Sequence, residues 1–476
     1  MIEPQQNSRS KLRECQGCPL FHKGEGFAAA ESADSIITLV GEALGEEEAV
    51  HGKPFIGPAG EQLDRALIKV GLPRGSITIG NSINCRPPNN WLTGAPWEHA
   101  ALNHCRVHRR RFYKPATKVY VTLGAVATRT VLSDHGYPYE GKLENWHSTV
   151  IKLEEDQYLI PTFHPSYLMQ GNQKLFNVQC YAFQLAKEVA AFGYRPDPLE
   201  LNIDPPPEKF EAWVASLVNE DDWLAVDIET FTSAGIPEDE HAFALGDITR
   251  INFAVDPEQG WTVPWENRYL PHIQKALETP HAKVLWNERF DIPILKAAGM
   301  KVEGVVLDAM QGWHMLQPNL PMGLGFVAPF YCKVGPWKHL SSTAIGRYAA
   351  IDAAATLRCA FGISQDLLDE GRWDTFDKYM TRLDRNVLHP AEEIGLLIDK
   401  AEVAKLQNTL ATQIQEKLEK IKSQIPSSVL PLEGGWKKDP GDRWPGAFKK
   451  TVEQTVTCCA ECGETDVTTT HQCQAS

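Results

Sequence analysis

Four short apolar runs, each rich in β-branched residues, constrain the fold of this chain more than any other feature. They are SIITLVGEA (35–43), SITIGNSINC (76–85), TKVYVTLGA (117–125) and QYLIPTFHP (157–165), and each ends in a polar or glycine-containing turn. Segments with a helical pattern lie between them. This alternation is typical of an α/β domain, in which functional side chains collect at the carboxyl ends of the strands.

The length of the chain, 476 residues, predicts about two to four domains. The proline-rich stretch YRPDPLELNIDPPP (194–207) is typical of a linker. A second α/β block begins at WLAVDIET (223–230), and a helical pattern is clearest in KAEVAKLQNTLATQIQEKLEKIKSQ (400–424). The predicted parts are an α/β domain over 1–195, a linker over 196–219, a second α/β domain over 220–370, a helical segment over 371–426 and a loop-like tail over 427–476.

The formal net charge of -14 is unevenly divided along the chain. Residues 1–200 contain 21 Lys and Arg against 21 Asp and Glu, so the acidic excess lies beyond residue 200. The neutral part includes a basic run, which consists of Arg106, Arg109, Arg110, Arg111, Lys114 and Lys118. Such a run is typical of a surface that binds phosphates or of a solvated helix face, and the sequence does not separate the two.

The composition, with 43% hydrophobic and 23% charged residues, is typical of soluble globular proteins. No run of 18 uncharged apolar residues occurs, and MIEPQQNSRSKLREC at the N-terminus lacks the apolar stretch of a signal peptide. We therefore expect a cytoplasmic protein without a membrane partner.

Eight of the 11 cysteines are clustered. Cys15 and Cys18 form a C-x-x-C pair, Cys85 and Cys105 follow, and the last group comprises Cys458, Cys459, Cys462 and Cys473. Because an intracellular chain keeps its thiols reduced, clustered cysteines indicate metal sites before disulfides. Four thiolates suit an iron-sulfur centre or a zinc ion, and the spacing does not separate these two metals.

Four motifs follow the predicted strands of the first domain: GEALGEEE (41–48), GKPFIGPAG (52–60), NSINCRPP (81–88) and HPS (164–166). Their order, with the cysteines interleaved, resembles the iron-sulfur uracil-DNA glycosylases known as family 4, over roughly residues 10–195. The resemblance implies a uracil-DNA-glycosylase-like α/β fold. It also implies that Cys15, Cys18, Cys85 and Cys105 hold a [4Fe-4S] cluster.

The resemblance also assigns roles to single residues. Phe55 matches the aromatic residue that stacks on the extruded base, Asn81 the amide that hydrogen-bonds to the uracil edge, and His164 the catalytic histidine. Gly41, Glu42 and Ala43 belong to the turn that lines the base-binding site.

Two departures from related glycosylases concern the same turn. Ala43 stands where related families have a carboxylate that activates water, which leaves Glu48 and Glu42 as candidates, with Glu48 favoured by its motif position. Leu44 replaces the usual proline. The alternative hypothesis is therefore a first domain that binds bases without cutting.

Three acidic motifs in the second domain are D227-I-E229, N287-E-R-F-D291 and Y348-A-A-I-D352. Converging carboxylates can hold two divalent metals, which activate water and stabilise a phosphoryl displacement. The motifs resemble those of DnaQ-like 3′→5′ exonucleases, which have a ribonuclease-H-like fold, and specifically those of family A DNA polymerases. The resemblance makes Asp227, Glu229, Asp291 and Asp352 ligands of two Mg²⁺ or Mn²⁺ ions, and it makes Tyr348 the residue that orients the attacking water or the phosphate.

The segment MTRLDRNVLHPAEEIGLLIDKAEVAKL resembles the start of the polymerase thumb, and no palm or fingers are recognisable after it. The chain therefore resembles the front portion of a phage-type family A polymerase with a fused glycosylase-like domain. We expect the host cytoplasm as its location and DNA as its partner, single-stranded or with frayed 3′ ends, together with a separate polymerase core. In the tail, Cys459, Cys462, His471 and Cys473 are candidate zinc ligands, Cys458 could substitute for one of them, and the alternative is a disordered tail.

Overall fold

The computed structural model describes residues 11–424, apart from positions 32, 34, 231–247, 305 and 396. The chain divides into two units, Met1–Pro390 and Ala391–Ser476. The predicted tail ligands Cys459, Cys462, His471 and Cys473 lie outside the described residues.

The first domain contains a five-stranded sheet with the strand order β2-β1-β3-β5-β4. Its strands are β1 (Ile37–Gly41), β2 (Thr78–Asn81), β3 (Val119–Leu123), β4 (Ile151–Glu154) and β5 (Gln157–Thr162). All pairings are parallel except that between β4 and β5. The residues of β1, β2 and β3 are all buried, as expected of parallel strands covered on both faces.

Helices cover this sheet and connect its strands. They are α1 (Glu46–His51), α2 (Pro58–Lys69), α3 (Glu98–Arg109), α4 (Ala125–Asp134), α5 (Pro165–Met169) and α6 (Phe176–Phe192). Short 3₁₀ turns occur at Arg13–Cys15, Arg74–Ser76, Pro88–Asn90, Leu143–Asn145 and Gln173–Leu175. The four predicted strands are therefore present, and β4 is an additional strand at the edge of the sheet.

The second domain contains a six-stranded sheet with the order β11-β10-β7-β8-β9-β6. Its strands are β6 (Glu200–Ile203), β7 (Trp223–Thr230), β8 (Ile248–Ala254), β9 (Gln259–Pro264), β10 (Ala282–Leu285) and β11 (Val306–Asp308). Only β8 runs antiparallel to its neighbours. This strand order, in which β8 runs antiparallel to its neighbours β7 and β9, is ribonuclease-H-like. The predicted succession of two α/β domains is confirmed.

Helices of the second domain pack on this sheet. They are α7 (Pro207–Ala215), α8 (Leu270–Leu277), α9 (Glu288–Ala297), α10 (Ala309–Leu316), α11 (Leu324–Val327) and α12 (Ile345–Asp369), with 3₁₀ turns at Ala328–Phe330 and Lys338–Ser341. The long helix α12 carries Tyr348 and Asp352 one turn apart on one face.

The structure corrects the interpretation of residues 196–219 as a linker. Strand β6 pairs in parallel with β9, and α7 buries Phe210 completely in the core of the second domain. The prolines have a different role from the one expected, because Pro207 occupies the first turn of α7, where its missing N–H is not needed.

A helical segment follows the second domain, as predicted. It comprises α13 (Trp373–Thr375), a π-helical stretch (Phe376–Leu388), α14 (His389–Ile394) and α15 (Lys400–Gln424). Asp384 in the π-helical stretch forms an ion pair with Arg289 in α9. Among the described residues, no helix combines the length and apolar character needed to cross a membrane.

Candidate active sites

The carboxyl ends of β1, β2 and β5 lie at one edge of the first sheet. Gly41 ends β1, Asn81 ends β2, and His164 follows β5. A cavity of about 970 Å³ opens at this edge, and the predicted residues that line it are Glu42, Ala43, Glu48, Phe55 and His164. The structure therefore brings these five predicted residues together around one cavity, with Gly41 and Asn81 at the same edge of the sheet.

Gly41 allows two of these side chains to meet. A methyl group at Gly41 would lie 2.3 Å from Asn81 Oδ1 and 2.4 Å from Phe55 Cζ, so a larger residue does not fit there. Asn81 is 3% exposed, and its Oδ1 has no hydrogen-bond partner within the described part of the chain. Because an unsatisfied buried polar atom costs about 1–3 kcal/mol, this oxygen indicates a ligand that donates a hydrogen bond.

The backbone at Phe55 is strained, and the side chain of Arg74 holds it in this conformation. Phe55 has a φ of 51°, which is unfavourable for a bulky residue. The guanidinium of Arg74 donates hydrogen bonds to Phe55 O at 2.8 Å and to Pro54 O at 2.7 Å. Arg74 was not predicted as a functional residue, since nothing in the sequence distinguishes it from a surface arginine.

The tautomer of His164 follows from its contacts with Ser166. The Ser166 N–H donates to His164 Nδ1 at 3.2 Å, and Ser166 Oγ lies 2.7 Å from the same nitrogen. Burial lowers the pKa of His164 to about 4, although the nearby Glu48 favours the charged form. The ring is therefore neutral at physiological pH, with its proton on Nε2, where it can be donated to a ligand.

Both candidate carboxylates for water activation line the cavity. Glu48 Oε1 accepts hydrogen bonds from the N–H groups of Ile56 at 3.2 Å and Gly57 at 3.0 Å, which fix its position. Burial raises the pKa of Glu42, and the nearby Glu98 raises it further. Glu48 is therefore fixed at the cavity, and the choice between Glu48 and Glu42 as the base stays a prediction.

The four predicted N-terminal cysteines surround one small pocket, which Cys15, Cys18, Cys85 and Cys105 line together. Burial raises the pKa of Cys85 to about 12, and the neighbouring Cys105 contributes to this shift. Burial likewise raises the pKa of Cys105 to about 11. The donor set fits a metal centre, because thiols that are buried together become favourable as thiolates once a cation balances their charge.

Four thiols suit either a zinc ion or an iron-sulfur cluster, and the choice between these two metal centres stays a prediction. Among the described residues, the groups of three or more metal-ligating atoms that all lie within 4.8 Å of one another do not include these thiols. Zinc bound tetrahedrally at about 2.3 Å would bring the sulfurs to roughly 3.8 Å from one another.

The basic run does not form one phosphate-binding face. Arg109 is 2% exposed and donates to both oxygens of Asp134, at 2.7 and 2.9 Å. It also donates to Ser82 O at 2.9 Å, directly after β2, so it supports the turn that follows Asn81. Arg111 forms an exposed ion pair with Glu14. Arg109 is therefore a structural residue that neither sequence interpretation anticipated.

The second domain brings its predicted carboxylates together. Asp227 and Glu229 lie on the same face of β7, and their oxygens lie within 4.8 Å of each other and of Asp352 on α12. Asp291 on α9 is 3% exposed, and it accepts a hydrogen bond from the Ile228 N–H at 3.1 Å. Three of the four predicted metal ligands therefore lie around one point, and Asp291 is held next to them through the backbone of β7.

The buried carboxylates of this site repel one another, and bound cations would relieve that repulsion. Burial, followed by repulsion from Asp352, raises the pKa of Asp227 to about 7. Burial and repulsion from Asp227 raise the pKa of Glu229 to about 9, and the same causes raise that of Asp291. Divalent cations bound by these oxygens would remove the repulsion, and carboxylate oxygens are the ligands that Mg²⁺ and Mn²⁺ prefer.

Several residues of this site were not predicted. Asn252 on β8 donates to Asp227 at 2.7 Å and to Glu229 at 3.4 Å. Lys338 Nζ lies 2.7 Å from Asp352 Oδ2 and 3.3 Å from the hydroxyl of Tyr348. Asn252 lies on β8 and Lys338 begins the 3₁₀ turn Lys338–Ser341, both outside the acidic motifs, so no sequence pattern singled them out.

Comparison with known proteins agrees with the geometry of the first site. The model of the uracil DNA glycosylase superfamily matches residues 29–187. A type-4 uracil-DNA glycosylase of Thermotoga maritima is 35% identical over 165 residues, which cover 34% of this chain and 81% of that protein. One of Saccharolobus solfataricus is 33% identical over 169 residues, covering 33% and 73% of the two chains. The chain belongs, through its first domain, to the type-4 uracil-DNA glycosylases.

Solved structures show a more distant similarity. The POL domain of Pol1 from M. smegmatis, in complex with DNA primer-template and dNTP, aligns with a TM-score of 0.36 and 18% identity. The alignment covers 53% of this chain and 46% of that one, so this chain spans about half of the polymerase domain that it matches. The catalytic core of RRP6 from Trypanosoma brucei aligns over 38% of this chain and 52% of its own length, with a TM-score of 0.28 and 19% identity.

Proposed function

We propose that the first domain excises uracil from DNA by hydrolysis of the N-glycosidic bond. The observation that carries this proposal is the unpartnered, buried Asn81 Oδ1, which lies with Phe55 against Gly41, while Phe55 and the neutral His164 line the adjoining cavity. An extruded base must be held on a flat surface and recognised at its polar edge, and Phe55 and Asn81 supply these two contacts.

His164 acts on the departing base. Its Nε2–H donates to uracil O2, where negative charge grows as the glycosidic bond breaks. A donor aimed at developing charge stabilises the transition state by about 3 kcal/mol. Glu48 takes a proton from the attacking water, and Glu42 is the second candidate for this role.

A first domain that binds uracil without cutting is the alternative, and Ala43 favours it because its methyl group cannot activate water. The two functions differ in one product. A single-stranded oligonucleotide with one uracil, incubated with the protein and then heated in alkali, breaks at the uracil position only if the base has been released. Selective binding without breakage would replace the enzyme proposal with the binding one.

We propose that the second domain is a 3′→5′ DNA exonuclease. The convergence of Asp227, Glu229 and Asp352, with Asp291 beside them, carries this proposal. When bound, two Mg²⁺ or Mn²⁺ ions activate water and stabilise the oxygens of the displacement. Tyr348 orients the attacking water or the scissile phosphate. A 5′-labelled oligonucleotide should give a ladder of shortened products with Mg²⁺ and none with EDTA.

Cys15, Cys18, Cys85 and Cys105 are proposed to hold a [4Fe-4S] cluster with a structural role, since hydrolysis requires no electron. Purified protein should contain iron and absorb visible light through sulfur-to-iron charge transfer. Colourless protein with zinc and no iron at these cysteines would assign the site to zinc.

DNA with single-stranded or frayed 3′ ends is the proposed substrate of both domains. The thumb-like segment that follows the second domain in the sequence supports proofreading for a family A polymerase of phage type, with a separate polymerase core as partner. Addition of such a core should stimulate removal of a mismatched 3′ nucleotide more than removal of a matched one.

A further inference from the structure

Lys338 brings a positive charge directly to the carboxylates of the second domain. It opens the 3₁₀ turn Lys338–Ser341, and its side chain is 17% exposed. Its Nζ lies 2.7 Å from Asp352 Oδ2 and 4.9 Å from the centre of the Tyr348 ring. The charge also lowers the pKa values of Asp227 and Glu229, which burial and repulsion raise.

Two consecutive residues occupy both oxygens of Asp352. The indole N–H of Trp337 donates to Oδ1, and Lys338 donates to Oδ2. A metal ion that binds Asp352 through Oδ2 must therefore compete with the lysine, because an ammonium group and a divalent cation repel each other strongly when both contact one oxygen.

The second contact of Lys338 fixes the direction of a hydroxyl group. Lys338 Nζ has only hydrogens to offer, so it donates to the oxygen of the Tyr348 hydroxyl at 3.3 Å. The hydroxyl hydrogen must then point away from the lysine. The Tyr348 hydroxyl also makes a hydrogen bond with Asp352, so it can donate to a phosphate oxygen or to water once a metal ion engages that carboxylate.

We propose that Lys338 is a positioning residue of the nuclease site that also competes with the metal ions for Asp352. This inference rests on the proposed exonuclease function. Before metal binding, Lys338 neutralises Asp352. After metal binding, it releases Oδ2 and continues to hold the Tyr348 hydroxyl in its donating orientation.

The test is Lys338→Met in the full chain, with two measurements that should move in opposite directions. Mn²⁺ affinity, measured by electron paramagnetic resonance or calorimetry, should increase about tenfold, because a competing positive charge is lost. Nuclease turnover at saturating Mn²⁺ should fall roughly 10- to 100-fold, because the hydroxyl is no longer oriented. Lys333→Met, at an exposed lysine of the same segment, is the matched control and should change neither.

A double-mutant cycle tests whether Lys338 acts through Tyr348. Tyr348→Phe should lower turnover by a similar factor, and adding Lys338→Met to it should lower turnover little further. Additive losses would overturn the positioning role. Uracil handling by the first domain serves as the check that each variant is folded.

The remaining outcomes also decide the proposal. Mn²⁺ affinity and turnover that fall together with the melting temperature would make Lys338 merely structural, and no change in either quantity would remove it from the site. If the wild type binds Mn²⁺ but digests no DNA, the exonuclease proposal fails by itself. The Mn²⁺ affinity of Lys338→Met then still tests the competition, and an unchanged affinity would refute it.

Discussion

At the scale of single residues, His164 and Phe55 contact the same base at different stages of the proposed reaction. The hydrogen bond from His164 strengthens as charge develops, so His164→Ala should lower the excision rate about 100-fold or more with little change in binding. Phe55 stacks on the flipped base already in the ground state. Phe55→Ala should therefore weaken binding as well as turnover, by roughly 1–3 kcal/mol.

For each variant, single-turnover kinetics on single-stranded uracil DNA gives the excision rate, and fluorescence titration with the same DNA gives the binding affinity. Leu44→Pro, which restores the residue usual in this turn, is a useful companion because it changes the cavity lining without removing a polar group. Equal losses of binding and rate in both alanine variants would contradict the division of roles.

The pH dependence of excision should reflect the environment of His164. Its folded-state pKa, lowered to about 4 by burial, lies below the ordinary value of 6.5, so the neutral ring persists as the pH falls. The excision rate should accordingly show no step near pH 6.5, and loss through this residue should begin only near pH 4. A rate that halves near pH 6.5 in folded protein, as judged by circular dichroism, would show that His164 titrates normally.

At the scale of elements, regular periodicity made the sites predictable. The β-branched runs predicted β1, β2, β3 and β5, and parallel strands place their carboxyl ends at one edge, which brought Asn81 and His164 together. The D-x-E spacing puts two carboxylates on one face of a strand, and the four-residue spacing of Tyr348 and Asp352 puts them on one face of a helix.

Contacts made through loops and edges were not predictable in this way. The prolines around β6 led to the prediction of a linker. That prediction was wrong because prolines also begin helices and flank edge strands, as they do here. Arg74 and Lys338 each begin a short 3₁₀ turn, and no local pattern specifies where a side chain from such a turn ends. Ser166 lies within a predicted motif, yet its effect on the His164 tautomer depends on geometry.

The strand β7 provides the next prediction, because two of its side chains hold the proposed metals. Asp227→Ala combined with Glu229→Ala should lower digestion of 3′ ends by roughly 100-fold or more and leave uracil handling intact. The matched control is Asp369→Ala, an exposed carboxylate on α12. Undiminished digestion by the double variant would place the nuclease elsewhere.

The same variant should be more stable than the wild type in EDTA at alkaline pH. The folded-state pKa values of Asp227 and Glu229, about 7 and about 9, lie above the ordinary values of these carboxyl groups. The folded wild type therefore holds protons that the unfolded chain has already released, and it loses stability as the pH rises from the ordinary pKa values through the folded-state ones. Melting temperatures in EDTA at about pH 6 and about pH 9 measure this difference, and Mg²⁺ should reverse it. A double variant that melts lower than the wild type at both pH values would contradict it.

At the scale of the whole molecule, the two α/β domains share a buried contact next to the glycosylase site. His147 in the first domain is fully buried, its Nε2 donates to the carbonyl of Phe326 in α11 at 3.0 Å, and the two rings lie 4.4 Å apart. Phe163, which precedes His164, packs in the same cluster as Phe326 and Trp313. The second domain therefore supports the backbone that positions His164, the proposed catalytic residue.

Phe326→Ala should consequently impair the first domain although it lies in the second. Loss of the buried ring should lower the free energy of unfolding by about 3–5 kcal/mol, and the loosened contact with His147 and Phe163 should slow uracil excision by roughly tenfold. Phe253→Ala is the matched control, because Phe253 is equally well buried in a cluster formed by the second domain alone. It should cost similar stability and leave excision unchanged at a temperature where both variants are folded. Equal excision rates in the two variants would mean that the domains pack together without any effect of the second on the glycosylase site.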